Sequence, residues 1–307
     1  MEKRQIPDEL FTPSKALSGE MEAIARTHHS AFYDGWIRLR KNKGAVTCFI
    51  ILVVVALFAI AAPIASPYTY FQTDYASKLK PPSAEHFFGT DLFGRDQWTR
   101  IWYGTRISLL IGLSAAVINL FIGVTYGAVS AIAGGAVDAI MQRVIEVLVG
   151  IPQLIIVILF MMVLPPGIWT IILALSITGW VNMARLVRAE ILKLKNQEFV
   201  LAARLLGTRT SKIILRHLIP NTVSVVVIQV MFSIPAAIFT EAFLSFIGLG
   251  LAQPEASLGV LINNGYAVLR SSPYMLIYPS IAIILIMVCF SIFGDGLRDA
   301  FDPRMRH

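Results

Sequence analysis

The side chains able to do covalent chemistry are distributed in a way that excludes most of it. The histidines are His28, His29, His86, His217 and His307, and none falls inside a long apolar run, so no Ser/His nucleophile and base pair can form there. Asp295 and Asp299 both follow the last apolar run, which leaves no pair of carboxylates facing each other across two runs. Cys48 and Cys289 each lie within an apolar run, with neither CxxC spacing nor a neighbouring histidine, and read as small core or lipid-facing residues rather than metal ligands. No glycine is followed by lysine, so the phosphate loop G-x-x-x-x-G-K-[ST] is absent from the sequence, and any energy from ATP must come from another chain. A membrane-embedded protease and a nucleotide hydrolase are both disfavoured.

What remains is a polar loop whose residues pattern as structure. In "RAEILKLKNQEFVLAARLLGTRTSKIILRHLIPN", Asn196 is placed to cap a helix whose first turn holds Glu198, and Gly207 stands where a left-handed C-terminal cap would end it. Thr208 or Thr210 can start a second short helix, and Pro220 marks entry to the next apolar run. The expected product is a helix-turn-helix hairpin. Its apolar residues Val200, Leu201, Leu205, Leu206, Ile213, Ile214 and Leu218 would face water unless a partner or the rest of the chain covered them, and an amphipathic helix laid into a partner's groove is one use for such a face.

Two further groups carry charge where charge is costly. Glu241 lies about twenty residues beyond Asn221, near the far end of an apolar run. It reads either as an interfacial glutamate reaching headgroup water or as a gate or binding-protein contact paired with Arg106. The string Gly89, Thr90, Asp91, Gly94, Arg95, Asp96 reads as a charged, glycine-turned loop with a role in the fold.

The elements that must position these residues follow from composition. A chain of 307 residues that is 56% hydrophobic and 15% charged cannot be an ordinary soluble domain. A bilayer core of about 30 Å needs roughly 20 apolar residues in helix. About six such stretches occur: 45–65, one inside 107–137, two inside 147–184 split by Pro165, Pro166 and Gly167, then 222–243 and 274–293. The fold class expected is all-α, a polytopic membrane bundle. Its divisions are an N-terminal extension at 1–44, a first span at 45–65, a loop at 66–106, a five-span core at 107–294 holding the hairpin loop 185–220, and a tail at 295–307.

Orientation follows from lysine and arginine placement, since short loops rich in them stay cytoplasmic. Lys3, Arg4, Lys15, Arg26, Arg38, Arg40, Lys41 and Lys43 precede the first run; Arg185, Arg188, Lys193, Lys195, Arg204, Arg209, Lys212 and Arg216 fill the loop; Arg298, Arg304 and Arg306 mark the tail. Those regions, and hence both termini, are expected on the cytoplasmic side. The net charge of +7 is thereby assigned to topology and not to nucleic acid.

The loop also resembles the permease subunits of ATP-binding cassette importers, whose signature is E-A-A, three residues, Gly, nine residues, then I-x-L-P. Here the string is Leu201-Ala202-Ala203, Gly207 and His217-Leu218-Ile219-Pro220; Leu201 replaces the usual glutamate, and His217 and Ile219 the usual Ile and Leu. "FGTDLFGRDQWTRIWYGTRISLLIG", "RHLIPN", "FTEAFLSFIGLGL" and "GDGLRDAFDPRMR" extend the likeness over almost the whole chain, to the second permease of oligopeptide and dipeptide importers.

The resemblance implies a heteromeric machine of this subunit in membrane lipid, a second homologous permease, two cytoplasmic ATPases that bind ATP and Mg, and an extracytoplasmic peptide-binding protein. It implies no cofactor or metal on this chain and no bond made or broken in the cargo. Ala202, Ala203, Gly207 and Pro220 would shape the hairpin, and Arg204, Arg209 and His217 would contact an ATPase or the hairpin itself; for the arginines a purely topological role stays open. Oligopeptides are the expected cargo, with dipeptides, nickel complexes or glycosides as alternatives in this class. An ion-coupled secondary transporter would place several ionisable residues mid-span, and these spans are almost free of them.

Overall fold

The computed structural model describes residues 31–301. The first residues of the extension, 1–30, and the end of the tail with Arg304 and Arg306 lie outside the described residues. Helix α1 (Ala31–Lys41) precedes the first span, α2 (Lys43–Ala65), and the two are separated at Asn42, whose side chain accepts from the Ala45 amide at 3.1 Å. Residues 1–44 had offered no helix to the sequence reading, yet α1 forms because Leu39 buries itself against Leu297 and Ala300 at the end of the last helix.

Helix α3 (Gln97–Ala133) begins ten residues before the apolar run at Ile107 and extends about 55 Å at 1.5 Å per residue, well beyond a bilayer core. Asp96 fixes that start by accepting from the Thr99 amide at 2.8 Å. Helix α3 packs most extensively against α6 (Ile168–Leu194). Gly123 and Gly127 make the approach possible: a Cβ there would sit 2.5 Å from Met183 Cβ and 2.4 Å from the Ala184 carbonyl oxygen. Lipid supplies no hydrophobic drive between helices, so close packing at small residues holds such pairs together.

The third expected span is not a straight helix. Helices α4 (Gly135–Gly150) and α5 (Gln153–Val163) meet at a bend of 81°, giving, among the described residues, five helices long enough to cross a bilayer, or six spans if the bent pair is one. Pro152 lacks an amide hydrogen and drives Ile151 to extended backbone at φ −101° and ψ 126°, which breaks the helix inside an unbroken apolar run. The expected turn at Pro165–Gly167 does separate α5 from α6.

Helix α6 carries Arg185 and Arg188 within it, so the hairpin loop is shorter than its sequence boundaries. It holds α7 (Glu198–Leu205), α8 (Thr210–Ile213) and a π-helical turn (Ile214–Leu218) running directly into α9 (Ile219–Phe246). A short helix α10 (Leu258–Ala267) then packs against α11 (Tyr274–Phe301). No strand occurs among the described residues; Thr90 and Asp96 form one isolated bridge. The core centres on Ile107, Ile111, Ile171, Ile172 and Leu244, continuing through Ile234, Ile238, Leu258 and Ile286. Cys48 and Cys289 are buried and free.

Candidate functional site

The hairpin is built from a cap that only glycine fits easily. Gly207 has φ +72°, the Thr208 amide reaches back to the Ala203 carbonyl at 3.1 Å, and the Gly207 amide donates to the Arg204 carbonyl at 2.9 Å. That double return is the Schellman arrangement, and it turns the chain sharply between α7 and α8. The start of α7 differs from expectation. Gln197 occupies the N-cap position without a side-chain hydrogen bond, because Asn196 belongs to the turn that closes α6, its amide on the Lys193 carbonyl at 3.4 Å.

The apolar residues of the loop divide into two sets. Val200, Ala203, Ile213 and Leu218 are buried with Ala131, Val187 and Ile191 of the bundle, whereas Leu205 and Leu206 remain 89% and 85% exposed, with Leu201 and Leu215 also exposed. One face therefore seats the hairpin and the turn projects away from it. Ala202, Arg204, Gly207 and Arg209 are exposed on the projecting part, and Pro220 is exposed at the head of α9. His217 is half-buried, its ring 6.2 Å from that of Phe199 and its carbonyl accepting from the Asn221 amide side chain at 2.6 Å.

A clamp that the sequence reading missed fixes the bundle beside the hairpin. Arg188 donates twice to Asp138, at 2.7 and 2.6 Å, and Ser130 donates to the same carboxylate at 2.5 Å. The pair joins the start of α4 to α6 across fifty residues, a separation at which no sequence spacing signals contact. Lys195 adds a bond to the Ala131 carbonyl at 3.3 Å.

Glu241 does not reach headgroup water, nor does it pair with Arg106. It is 0% exposed, and its oxygens accept from Ser108 at 3.0 Å and Ser245 at 2.8 Å. Arg106 is exposed, and no ion pair between the two occurs among the described residues. The Leu258 amide donates to Ser108 at 3.2 Å and Ser257 caps α10, so the carboxylate fastens the entry of α10 to α3 and α9. Ser245, one turn after Glu241, was legible as a partner; Ser108 and Ser257 were not.

The charged string at 89–96 is a closed structural unit. Asp91 accepts from the Phe93 and Arg95 amides at 2.8 and 2.9 Å, receives Arg95 Nε at 2.6 Å, and lies 3.5 Å from Arg100 Nε. His86 Nδ1 lies 2.9 Å from Asp96, and Thr90 donates to the Ser77 carbonyl. Nearby, the Ser77 hydroxyl, aided by the Ala76 amide, holds the Asp74 carboxyl below the usual carboxylate range.

Comparison with known proteins agrees with this architecture. Residues 123–307 match the family model described as binding-protein-dependent transport system inner membrane component, and residues 30–82 match the N-terminal TM domain of oligopeptide transport permease C. The chain is 46% identical over 303 residues to the oligopeptide transport system permease protein OppC of Bacillus subtilis, covering 99% of each. It is also 46% identical to the dipeptide transport system permease protein DppC of that organism, over 98% of this chain and 95% of the relative. OppC of Escherichia coli K12 is 39% identical over 95% and 98%. A chain of the inward-facing MetNI methionine ABC transporter, native crystal form, superposes with a TM-score of 0.55 at 16% identity over 66% of this chain and 96% of that one, a likeness of fold. The chain belongs to the binding-protein-dependent transport system inner membrane component family.

Proposed function

We propose that this chain is a permease subunit of an ATP-driven importer of oligopeptides, working with a second homologous permease, two cytoplasmic ATPases that bind ATP and Mg, and an extracytoplasmic peptide-binding protein. The observation that carries the coupling role is the division of the hairpin. Its seated face joins it rigidly to α3, α6 and α9, while the turn around Leu205, Leu206 and Leu215 leaves apolar surface open to a partner. An ATPase groove covering that turn would push on Gly207 and its flanking helices. The displacement would pass through Val200 and Ile213 into the bundle, switching it between inward and outward access.

In this reading Arg204 and Arg209 contact the ATPase at the rim, and Ala202, Ala203 and Pro220 set the hairpin's shape. The hairpin, both termini and Arg298 lie on the cytoplasmic side, with residues 66–106 opposite. Glu241 and its serines hold α10 in place at the outer end as part of a gate, and the exposed Arg106 is the residue left to meet the binding protein. Two relatives of equal identity, one named for oligopeptides and one for dipeptides, support a dipeptide cargo as the second reading.

The test is reconstitution. The purified chain alone should hydrolyse no ATP, and ATP-dependent uptake of labelled oligopeptide should appear only when both permeases, the ATPases and the binding protein are present. ATP hydrolysis by the contaminant-free chain would overturn the assignment. Cysteine labelling of intact cells should reach position 83 and not position 211, and labelling at both would overturn the orientation.

A further inference from the structure

A cavity of about 600 Å³ opens at the end of α2 that joins residues 66–96. This volume falls within the roughly 300–1,000 Å³ of small-molecule sites. One wall is the last three turns of α2, with Leu57, Phe58 and Ala61, and the other is made by Glu85 and Phe87 of the loop and Trp98 in the first turn of α3. None of the residues described above as the hairpin or the Glu241 cluster lines it.

The chemistry of the lining is uneven along its length. Toward the span it is wholly apolar, with Leu57, Phe58, Ala61, Ala62 and Ala65, continuous with the exposed side of α2. Toward the loop it is aromatic and acidic: Tyr68, Phe87 and Trp98 stand beside Glu85 and Asp96, and no lysine or arginine lines the cavity. The aromatic wall is held in place, since Trp98 meets Phe87 edge-on at 5.6 Å and Tyr68 rests against His86 at 4.7 Å. Asp96 is committed to the Thr99 amide and hydroxyl and to His86, but Glu85 is exposed and makes no hydrogen bond or ion pair among the described residues. An occupant complementary to this gradient has an aliphatic body lying in the membrane and a cation at the interface, seated on aromatic faces beside one uncommitted carboxylate.

We propose that the cavity is a binding site for a phospholipid bearing an ammonium headgroup, of the phosphatidylethanolamine class. The upper acyl carbons lie against Leu57, Phe58 and Ala61, and the ammonium sits between Tyr68, Trp98 and Glu85. An anionic lipid without an ammonium would bring its phosphate to Glu85 with no cation of its own to face the carboxylate.

The probe is a photoactivatable phosphatidylethanolamine, compared with the same acyl chains on phosphatidylglycerol, in vesicles containing the full-length chain. Labelled peptides should map to 57–68 and 84–98, at a level about tenfold above phosphatidylglycerol, given the cation–π and charge contributions together. Ala61→Trp, at an exposed helix position, fills the cavity and should lower that labelling about tenfold, while labelling at the exposed Ile281 and Ile284 of α11 stays unchanged as the folding control. Glu85→Lys should abolish the preference between the two lipids. Equal labelling by both lipids in the unaltered chain, or full labelling of Ala61→Trp, would overturn the site. Competition by soluble phosphoethanolamine at millimolar concentration would assign it to a free amine, and protein cross-links from Ala61→Cys would assign it to a partner chain; either result overturns the lipid assignment.

Discussion

The segment at 74–96 and the hairpin at 197–218 are both short polar excursions from the bundle, and they meet their own needs to different degrees. In the first, Asp91, Arg95, His86 and Asp96 are buried and hydrogen-bond to one another and to backbone amides. In the second, Arg204 and Arg209 are exposed and the leucines at the turn stand in the open. A segment whose buried carboxylates are paired within it holds its own shape, though Arg95 Nη2 is left without a partner. A segment that leaves apolar surface uncovered beside a rigid seat is shaped for something the chain does not contain. This contrast also separates glycines of similar backbone conformation. A Cβ on Gly94 would meet the Asp74 carbonyl oxygen at 1.7 Å, whereas a Cβ on Gly207 meets nothing within 4 Å.

The largest effect expected from breaking the contrast is at the closed segment. Asp91→Ala strips the carboxylate from buried Arg95 and Arg100, and removing one partner of a buried pair costs about 3–5 kcal/mol. The chain should accumulate poorly in membranes and melt far earlier in detergent. Melting within a degree of the unaltered chain would show that the ion pairs are not what closes the segment.

At the hairpin seat, Ile213→Ala removes a buried side chain from the cluster with Val187 and Val200, at a cost of about 2–5 kcal/mol if the site does not collapse. Protease cutting within 197–218 should rise while the spans stay protected. Gly207→Val is smaller in stability, on the order of 1 kcal/mol from forcing a β-branched residue to positive φ. It should nevertheless misdirect α8, so that uptake and ATPase co-purification fall together while membrane insertion is normal. Normal uptake by this variant would reduce the hairpin to a connector.

Much of this arrangement was legible because apolar length and Gly/Pro chemistry are local. The Gly207 cap, the Pro165–Gly167 turn and Pro220 at the head of α9 each depend on a few consecutive residues. What was not legible depends on distance. The bend at Ile151–Pro152 is the exception, a local proline effect inside a charge-free run, whereas α1 exists because Leu297 and Ala300, more than 250 residues later, cover Leu39. Glu241 looked interfacial because its serines at 108 and 257 come from other helices. Asn196 looked like a cap because the end of α6 cannot be fixed to a residue by periodicity alone.

The smallest stability effect carries the most information. Leu205→Ser with Leu206→Ser alters two side chains already in water, so folding stability should move by no more than about 0.5 kcal/mol. The most direct test of the hairpin's role is to place a cysteine-directed cross-linker at Leu206→Cys in membranes holding the complete importer and to identify the adduct. The account predicts an adduct with an ATPase subunit, lost in the Gly207→Val background. Adducts with lipid or the second permease alone, at normal uptake, would contradict it.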